Sequence, residues 1–359
     1  MKRRTFLEML GMTCGAALAR AESPARHPLL EYPDAGGAWQ PVRTAADWER
    51  RRAAILAAAQ TIMGPLPGAA KHCPLDVQVS EEVDAGNYVR RSITYASEPG
   101  SRVPAYLLIP KRLLHEPQAK AAAVLCLHPT DNKIGRKVVV GLGGKEHRQY
   151  AVELTERGYV TLAPPYPLLA DYQPDLAGLG YVSGTMKAIW DNKRGLDLLD
   201  GLSFVQRGNY AAIGHSLGGH NSVYTALFDD RIKAVVSSCG LDSFADYKGG
   251  DITGWTSTRY MPRLAAFKGR AAETPFDFDE LLAALAPRPV MLSAPLHDAN
   301  FQAASVDRLA ATARAVYTLL GAPEALVVQH PDSEHDFTDD AREKAYTFLD
   351  KALRSAAKG

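Results

Sequence analysis

The run Gly214-His215-Ser216-Leu217-Gly218-Gly219 sets a serine between an apolar stretch, Tyr210–Ile213, and a stretch of helical composition. A G-x-S-x-G match gains meaning in that strand-to-helix context, because the sharp turn presents the serine oxygen at the N-terminus of a helix. Glycines two residues to either side let neighbouring chain approach without Cβ clashes. Serine is a weak nucleophile until a base takes its proton. His335, in Asp332-Ser333-Glu334-His335-Asp336-Phe337, follows the last apolar run and precedes the final helix, where such a base belongs. His330 competes for the role, but it adjoins the end of that run and precedes Pro331. A carboxylate must hold the imidazole in one tautomer and stabilise its cation. Asp298, after the penultimate strand, fits the chain order serine, acid, histidine, and Asp242, after the preceding strand, is the alternative. Two N–H donors for an oxyanion are expected from Leu217 and from Thr130, since Pro129 has none to offer.

Those residues need strand ends to hold them, and the sequence supplies the strands. Residues 44–63 carry apolar positions at helical spacing behind Thr44 or Asp47 as a cap. Three strand-like runs follow at about 75–83, 87–96 and 103–109, separated by turn residues. From residue 121 strands and helices alternate: strands at 121–127, 159–163, 210–214, 232–237, 289–294 and 325–329, helices at 145–157, 184–206, 217–227, 278–285, 302–320 and 339–355. The run 121–127 is apolar throughout, as expected of a parallel strand covered on both faces. The fold class is therefore α/β, one mostly parallel central sheet flanked by helices. Residues 241–275 interrupt the alternation with Gly, Trp, Tyr and Pro, and form an expected insertion over the substrate site. Trp255, Tyr260 and Arg263 in it, with His128 and His215 beside the oxyanion loop and the serine, are the expected substrate-binding residues.

The N-terminus carries a different signal. Lys2-Arg3-Arg4-Thr5-Phe6-Leu7, an apolar stretch from Met9 to Ala19 and then Ala19-Arg20-Ala21 make a basic region, an apolar core and a small-x-small cleavage site. Adjacent arginines followed by Phe-Leu indicate a twin-arginine export signal over 1–21, and the apolar stretch is too short for a stable membrane anchor. The expected organisation beyond it is an arm, helix and first strands over 22–110, then a catalytic core over 111–359. Cleavage after Ala21 would remove four of the 41 basic residues and one of the 40 acidic residues, turning a formal charge of +1 into −2. Neither value supports nucleic-acid binding. Three cysteines beyond the signal, Cys73, Cys126 and Cys239, make no disulfide scaffold. No CxxC, HExxH or EF-hand loop announces a metal, so no metal and no cofactor are expected. Gly141-Leu142-Gly143-Gly144-Lys145 lacks the spacing of a phosphate-binding loop and is expected as a flexible loop near the site.

Beyond the serine motif, three stretches carry a resemblance. They are Trp48-Glu49-Arg50-Arg51-Arg52 through Met63-Gly64-Pro65-Leu66-Pro67, Trp190-Asp191-Asn192-Lys193-Arg194-Gly195-Leu196-Asp197, and Leu285-Ala286-Pro287-Arg288-Pro289. With them the chain resembles the α/β hydrolases grouped around bacterial acetyl xylan esterases and dienelactone hydrolases, over about residues 40 to 350. The resemblance implies ester hydrolysis by a Ser-Asp-His triad without a cofactor, on a small-molecule or carbohydrate ester, and supports Ser216, Asp298 and His335. It has departures. Dienelactone hydrolases proper carry a cysteine where this chain has Ser216. Glucuronoyl esterases have Arg and Lys around the serine where this chain has Leu217 and His220, which argues against a uronic ester. A peptidase or amidase using the same residues, and a non-catalytic binding protein on this fold, are the alternatives. The chain is too short for the propeller domain of prolyl oligopeptidases.

Overall fold

The computed structural model describes residues 26–356, so the expected export signal lies outside the described residues. An arm pairs β1 (Glu31–Pro33) with β2 (Trp39–Pro41) and leads into α1 (Ala45–Met63). Thr44 caps α1 by a reciprocal capping box with Asp47. Three antiparallel strands follow, β3 (Gln78–Asp84), β4 (Tyr88–Glu98) and β5 (Ser101–Pro110), then the short α2 (Lys111–His115). The alternating part comprises β6 (Ala121–Leu127), α3 (Tyr150–Glu156), β7 (Val160–Ala163), α4 (Gly184–Asp200), β8 (Val205–His215), α5 (Leu217–Leu227) and β9 (Ile232–Ser238). It closes with α6 (Phe278–Ala283), β10 (Val290–Ser293), α7 (Ala303–Leu319), β11 (Leu326–Gln329) and α8 (Asp339–Ala356).

These strands form one nine-stranded sheet in the order β11-β10-β9-β8-β6-β7-β5-β4-β3. The six strands from β6 to β11 run parallel and the first three run antiparallel at one edge, as the change in sequence rhythm implies. Alternate residues of β6 feed two cores. Ala123, Leu125 and Leu127 join Trp190 and Leu196 of α4 on one face, whereas Ala122, Val124 and Cys126 join Tyr150 of α3 and Leu349 of α8 on the other. A strand buried on both faces has no use for polar residues, which is why 121–127 reads as one apolar run.

The stretches that carried the resemblance are joints between layers. On α1, Arg51 pairs with Glu280 of α6, and Arg52 donates to the carbonyls of Ala284 and Leu227. On α4, the Trp190 indole donates to the Ser97 carbonyl, and buried Lys187 lies between Asp191 and Glu98. Arg288 donates to the carbonyls of Asp229 and Ile232 at the start of β9.

Two expected helices are shorter than their periodicity implies. α3 begins at Tyr150 rather than 145, because Gly141, Gly143 and Gly144 take positive φ (72°, 110° and 91°) and hold the preceding chain out of a helix. α4 stops at Asp200, and Val205, which continued the apolar spacing, pairs with Ala121 as the first residue of β8. The insertion holds only short 3₁₀ turns, at Tyr247–Gly250, Ile252–Trp255, Pro262–Phe267 and Ala271–Glu273. Among the described residues no helix is long and apolar enough to cross a membrane.

Candidate active site

His215 ends β8 and Leu217 begins α5, so the turn falls on Ser216 alone, at φ 54° and ψ −118°. Positive φ costs a side-chain-bearing residue on the order of 1–3 kcal/mol, and the surroundings must hold it there. The Ser216 N–H donates to the Ser238 carbonyl (2.7 Å) at the end of β9. Gly218 does the rest: a Cβ on it would lie 1.9 Å from the Leu127 carbonyl oxygen. The start of α5 can therefore rest on the end of β6, and it brings the following loop, His128-Pro129-Thr130, to the serine. Ser216 is partly exposed while His215 and Leu217 beside it are buried.

The other two predicted site residues come from the next strand ends. Asp298, after β10, accepts from His335 Nδ1 (2.8 Å) in the loop between β11 and α8. Its other oxygen accepts the N–H groups of Asn300 (2.7 Å) and Phe301 (3.1 Å). Burial raises the carboxyl's pKa, but the bond and charge of His335 and the two backbone donors outweigh it, and Asp298 titrates below its ordinary range. Its side chain is 1% exposed and that of His335 is 31% exposed, so the acid is sealed and the imidazole faces out. With Nδ1 committed to Asp298, Nε2 is left for the serine side.

Ser216 and His335 line one cleft of about 170 Å³ together with Thr130, His215, Lys145 and Arg148. Leu217, as the first residue of α5, has an N–H with no acceptor within its helix. His215 is sealed behind the serine, its Nδ1 3.1 Å from the Ser238 hydroxyl and its ring 4.9 Å from that of His335. Burial pushes its pKa far down, and the nearby charges of Arg148 and His335 push the same way. His128 is also buried and neutral: Nδ1 donates to the Pro129 carbonyl (2.7 Å) and Nε2 accepts the Tyr166 N–H (2.9 Å). Burial holds its pKa down to about 4. It braces the loop bearing Pro129 and Thr130 and does not itself line the cleft.

The insertion contributes less than the sequence led us to expect. Tyr260 reaches the rim, its hydroxyl 3.1 Å from that of Thr130. Trp255 is instead a core residue, 4% exposed and packed among Phe244, Tyr247, Phe278 and Phe301. Arg263 is exposed and donates to the Thr61 carbonyl at the end of α1 (2.7 Å), away from the cleft. Aromatic and basic residues in an insertion have the same composition whether they bind substrate or fasten the segment down. Asp242, the alternative acid, accepts from the Gln302 N–H (3.2 Å) and makes no bond to His335. His330 is held between the Ala294 carbonyl and Asp307. Sequence reasoning missed Arg148, buried at the cleft and paired with Asp336, because a lone arginine in a loop has no spacing signal. A larger hollow of about 390 Å³, between the N-terminal arm, α1 and the insertion, is lined by none of Ser216, Asp298 and His335.

No protein-family model matches the chain. It is 28% identical over 264 residues to "Putative hydrolase YtaP" of Bacillus subtilis, covering 70% of this chain and 84% of that protein. Among solved structures it is similar to a glucuronoyl esterase from Solibacter usitatus, with TM-score 0.72, 19% identity, and coverage of 93% of this chain and 99% of that one. It is also similar to a protein from Bacteroides fragilis described as a "putative acetyl xylan esterase", with TM-score 0.62, 18% identity, and coverage of 80% and 76%.

Proposed function

We propose that this chain, an α/β hydrolase by fold, cleaves carboxylic esters with Ser216 as nucleophile, His335 as general base and Asp298 as the acid that orients it. The observation that carries the reading is the Asp298–His335 hydrogen bond, which leaves the second imidazole nitrogen free in the cleft that Ser216 also lines. His335 takes the Ser216 proton as the oxygen attacks the ester carbonyl. The oxyanion is received by the N–H groups of Leu217 at the start of α5 and Thr130 in the loop after β6. The protonated His335, stabilised by Asp298, gives its proton to the departing alkoxide. It then activates a water that releases the acid from the acyl-enzyme.

Two considerations narrow the substrate to an acylated carbohydrate or a similar environmental ester. The matched structures are described as glucuronoyl and acetyl xylan esterases, and the N-terminal sequence supports twin-arginine export to the periplasm. Leu217 and His220 in place of the glucuronoyl esterase cations favour an acetyl ester over a uronate ester. A near-neutral charge supports no nucleic-acid partner.

Purified protein should hydrolyse acetylated sugars and aryl acetates and take up a fluorophosphonate on Ser216. Ser216→Ala should abolish labelling and lower turnover by at least a thousandfold. Hydrolysis that survives this substitution would overturn the assignment, and faster cleavage of a peptide anilide than of an aryl ester would make the enzyme an amidase.

A further inference from the structure

One side chain beside the Asp298–His335 pair has no part in that mechanism. Cys239, the residue after β9, sits at φ 47° and is 2% exposed. Its sulfur, one carboxylate oxygen of Asp298 and one ring nitrogen of His335 all lie within 4.8 Å of one another. A thiolate, a carboxylate and an imidazole on one point is a donor set of the kind that holds zinc. A second, independent feature points the same way. Behind Cys239 and Asp298 is a hollow of about 10 Å³, also lined by Ser237 and Ser293. The hydroxyls of both serines are buried without a hydrogen-bond partner, and each residue is 2% exposed. Buried hydroxyls are rarely left in that state unless something else engages them.

We propose that Cys239 Sγ, an Asp298 carboxylate oxygen and His335 Nδ1 form an inhibitory site for a single thiophilic divalent cation of the zinc class, with a serine hydroxyl as the fourth donor. Around a tetrahedral Zn²⁺ with bonds of about 2.0–2.3 Å, donors stand roughly 3.3–3.8 Å apart, so separations of up to 4.8 Å must shorten by about 1–1.5 Å at most, while the 2.8 Å contact between Asp298 and His335 must open by about 0.5 Å. The partly exposed ring of His335 gives the ion its way in. Charge balances, because the thiolate and the carboxylate together match the dication and one proton, from the thiol, leaves to solvent. Binding at Nδ1 requires the imidazole proton to sit on Nε2. In that tautomer the ring cannot accept the Ser216 proton, so the metal switches off the base itself. That consequence rests on the esterase reading; the binding does not.

The test is a titration of the full-length protein, freed of chelator, with Zn²⁺ alone. One ion per chain should bind by equilibrium dialysis and raise the melting temperature. Co²⁺ in its place should show a thiolate charge-transfer band in the ultraviolet. Ester hydrolysis should fall at least tenfold and return on addition of EDTA. Cys239→Ala and Cys239→Ser should each lose the band, bind at least tenfold more weakly and escape the inhibition; the serine variant guards against a cavity effect on folding. Equal binding by wild type and both variants, or tight binding without the thiolate band, would refute the site. If the protein proves to hydrolyse no ester, binding, band and melting temperature still decide the metal question on their own.

Discussion

At the scale of single residues, the proposed chemistry depends on imidazoles that do none of it. His128 keeps one proton on Nδ1 for the Pro129 carbonyl and an open Nε2 for the Tyr166 N–H. Only the neutral ring can do both. Its folded pKa of about 4 lies below the ordinary 6.5, so between those values the unfolded chain binds more protons than the native one. The contribution is complete above pH 6.5 and drains away as the pH falls through 4. Buried His220, pushed down to about 3, adds to the same slope. Urea denaturation at pH 7 and at pH 5 should therefore show lower stability at pH 5, and His128→Ala should flatten part of that difference. The same substitution orphans the Tyr166 N–H and loosens the loop bearing Thr130. It should cost about 1–3 kcal/mol of stability and lower turnover at least tenfold while Ser216 still takes up a fluorophosphonate. Unchanged turnover would separate this loop from the oxyanion. Ser216, His335 and Asp298 were legible because strand ends are marked by punctuation that any reader of periodicity can find. Cys239 and Arg148 were not: their partners lie on other strand ends, and one chain does not say which loop faces which.

Secondary-structure elements are where the geometry of Ser216 is enforced. The positive φ of Ser216 holds because α5 is pressed onto the end of β6, and Gly218 is the residue that permits the contact. Its missing side chain faces backbone, the Leu127 carbonyl, and backbone has no rotamer with which to retreat. Gly218→Ala should thus either prevent folding or push α5 away from β6, opening the distance between Leu217 and Thr130. Circular dichroism and fluorophosphonate labelling distinguish the two outcomes, and normal labelling at normal stability would contradict the packing argument. Strand and helix order was readable from alternation, since a parallel strand covered on both faces leaves an apolar run and an amphipathic helix leaves a 3.6-residue period. Periodicity failed at helix ends. Val205 continued the spacing of α4 although it belongs to β8, and a glycine-rich approach delayed α3. The insertion was harder still, because burying Trp255 and displaying it require the same residue types.

For the molecule as a whole, a long reach through the core braces the N-terminal segment against the region before β10, through Arg51 of α1 and Glu280 of α6, 229 positions apart. Both are nearly sealed from solvent. Burial raises Glu280 to about 7 despite Arg51 and Arg26 beside it, and burial lowers Arg51 despite the carboxylates. Both shifts say that removing the pair from water costs more than its attraction returns. For an acid whose folded pKa lies above its unfolded value near 4.5, the native state binds the extra proton in the window from 4.5 to 7. Stability from this group therefore falls as the pH rises across that window, by up to about 3 kcal/mol, opposite in sign to the His128 effect. Glu280→Gln alone should strand a charged Arg51, and Arg51→Met alone should strand the carboxyl, each at about 3–5 kcal/mol near pH 8. The double variant keeps an amide oxygen for the Asp277 N–H in the capping box of α6. It should fall within about 1 kcal/mol of wild type at that pH, and in urea its stability should lose the decline between pH 5 and 7.5 that Glu280 contributes. A double variant as unstable as the sum of the two singles would mean that the ion pair is a net stabilising brace between the halves of the chain. The contact would then be a strength of the fold and not a cost carried to orient its first helix.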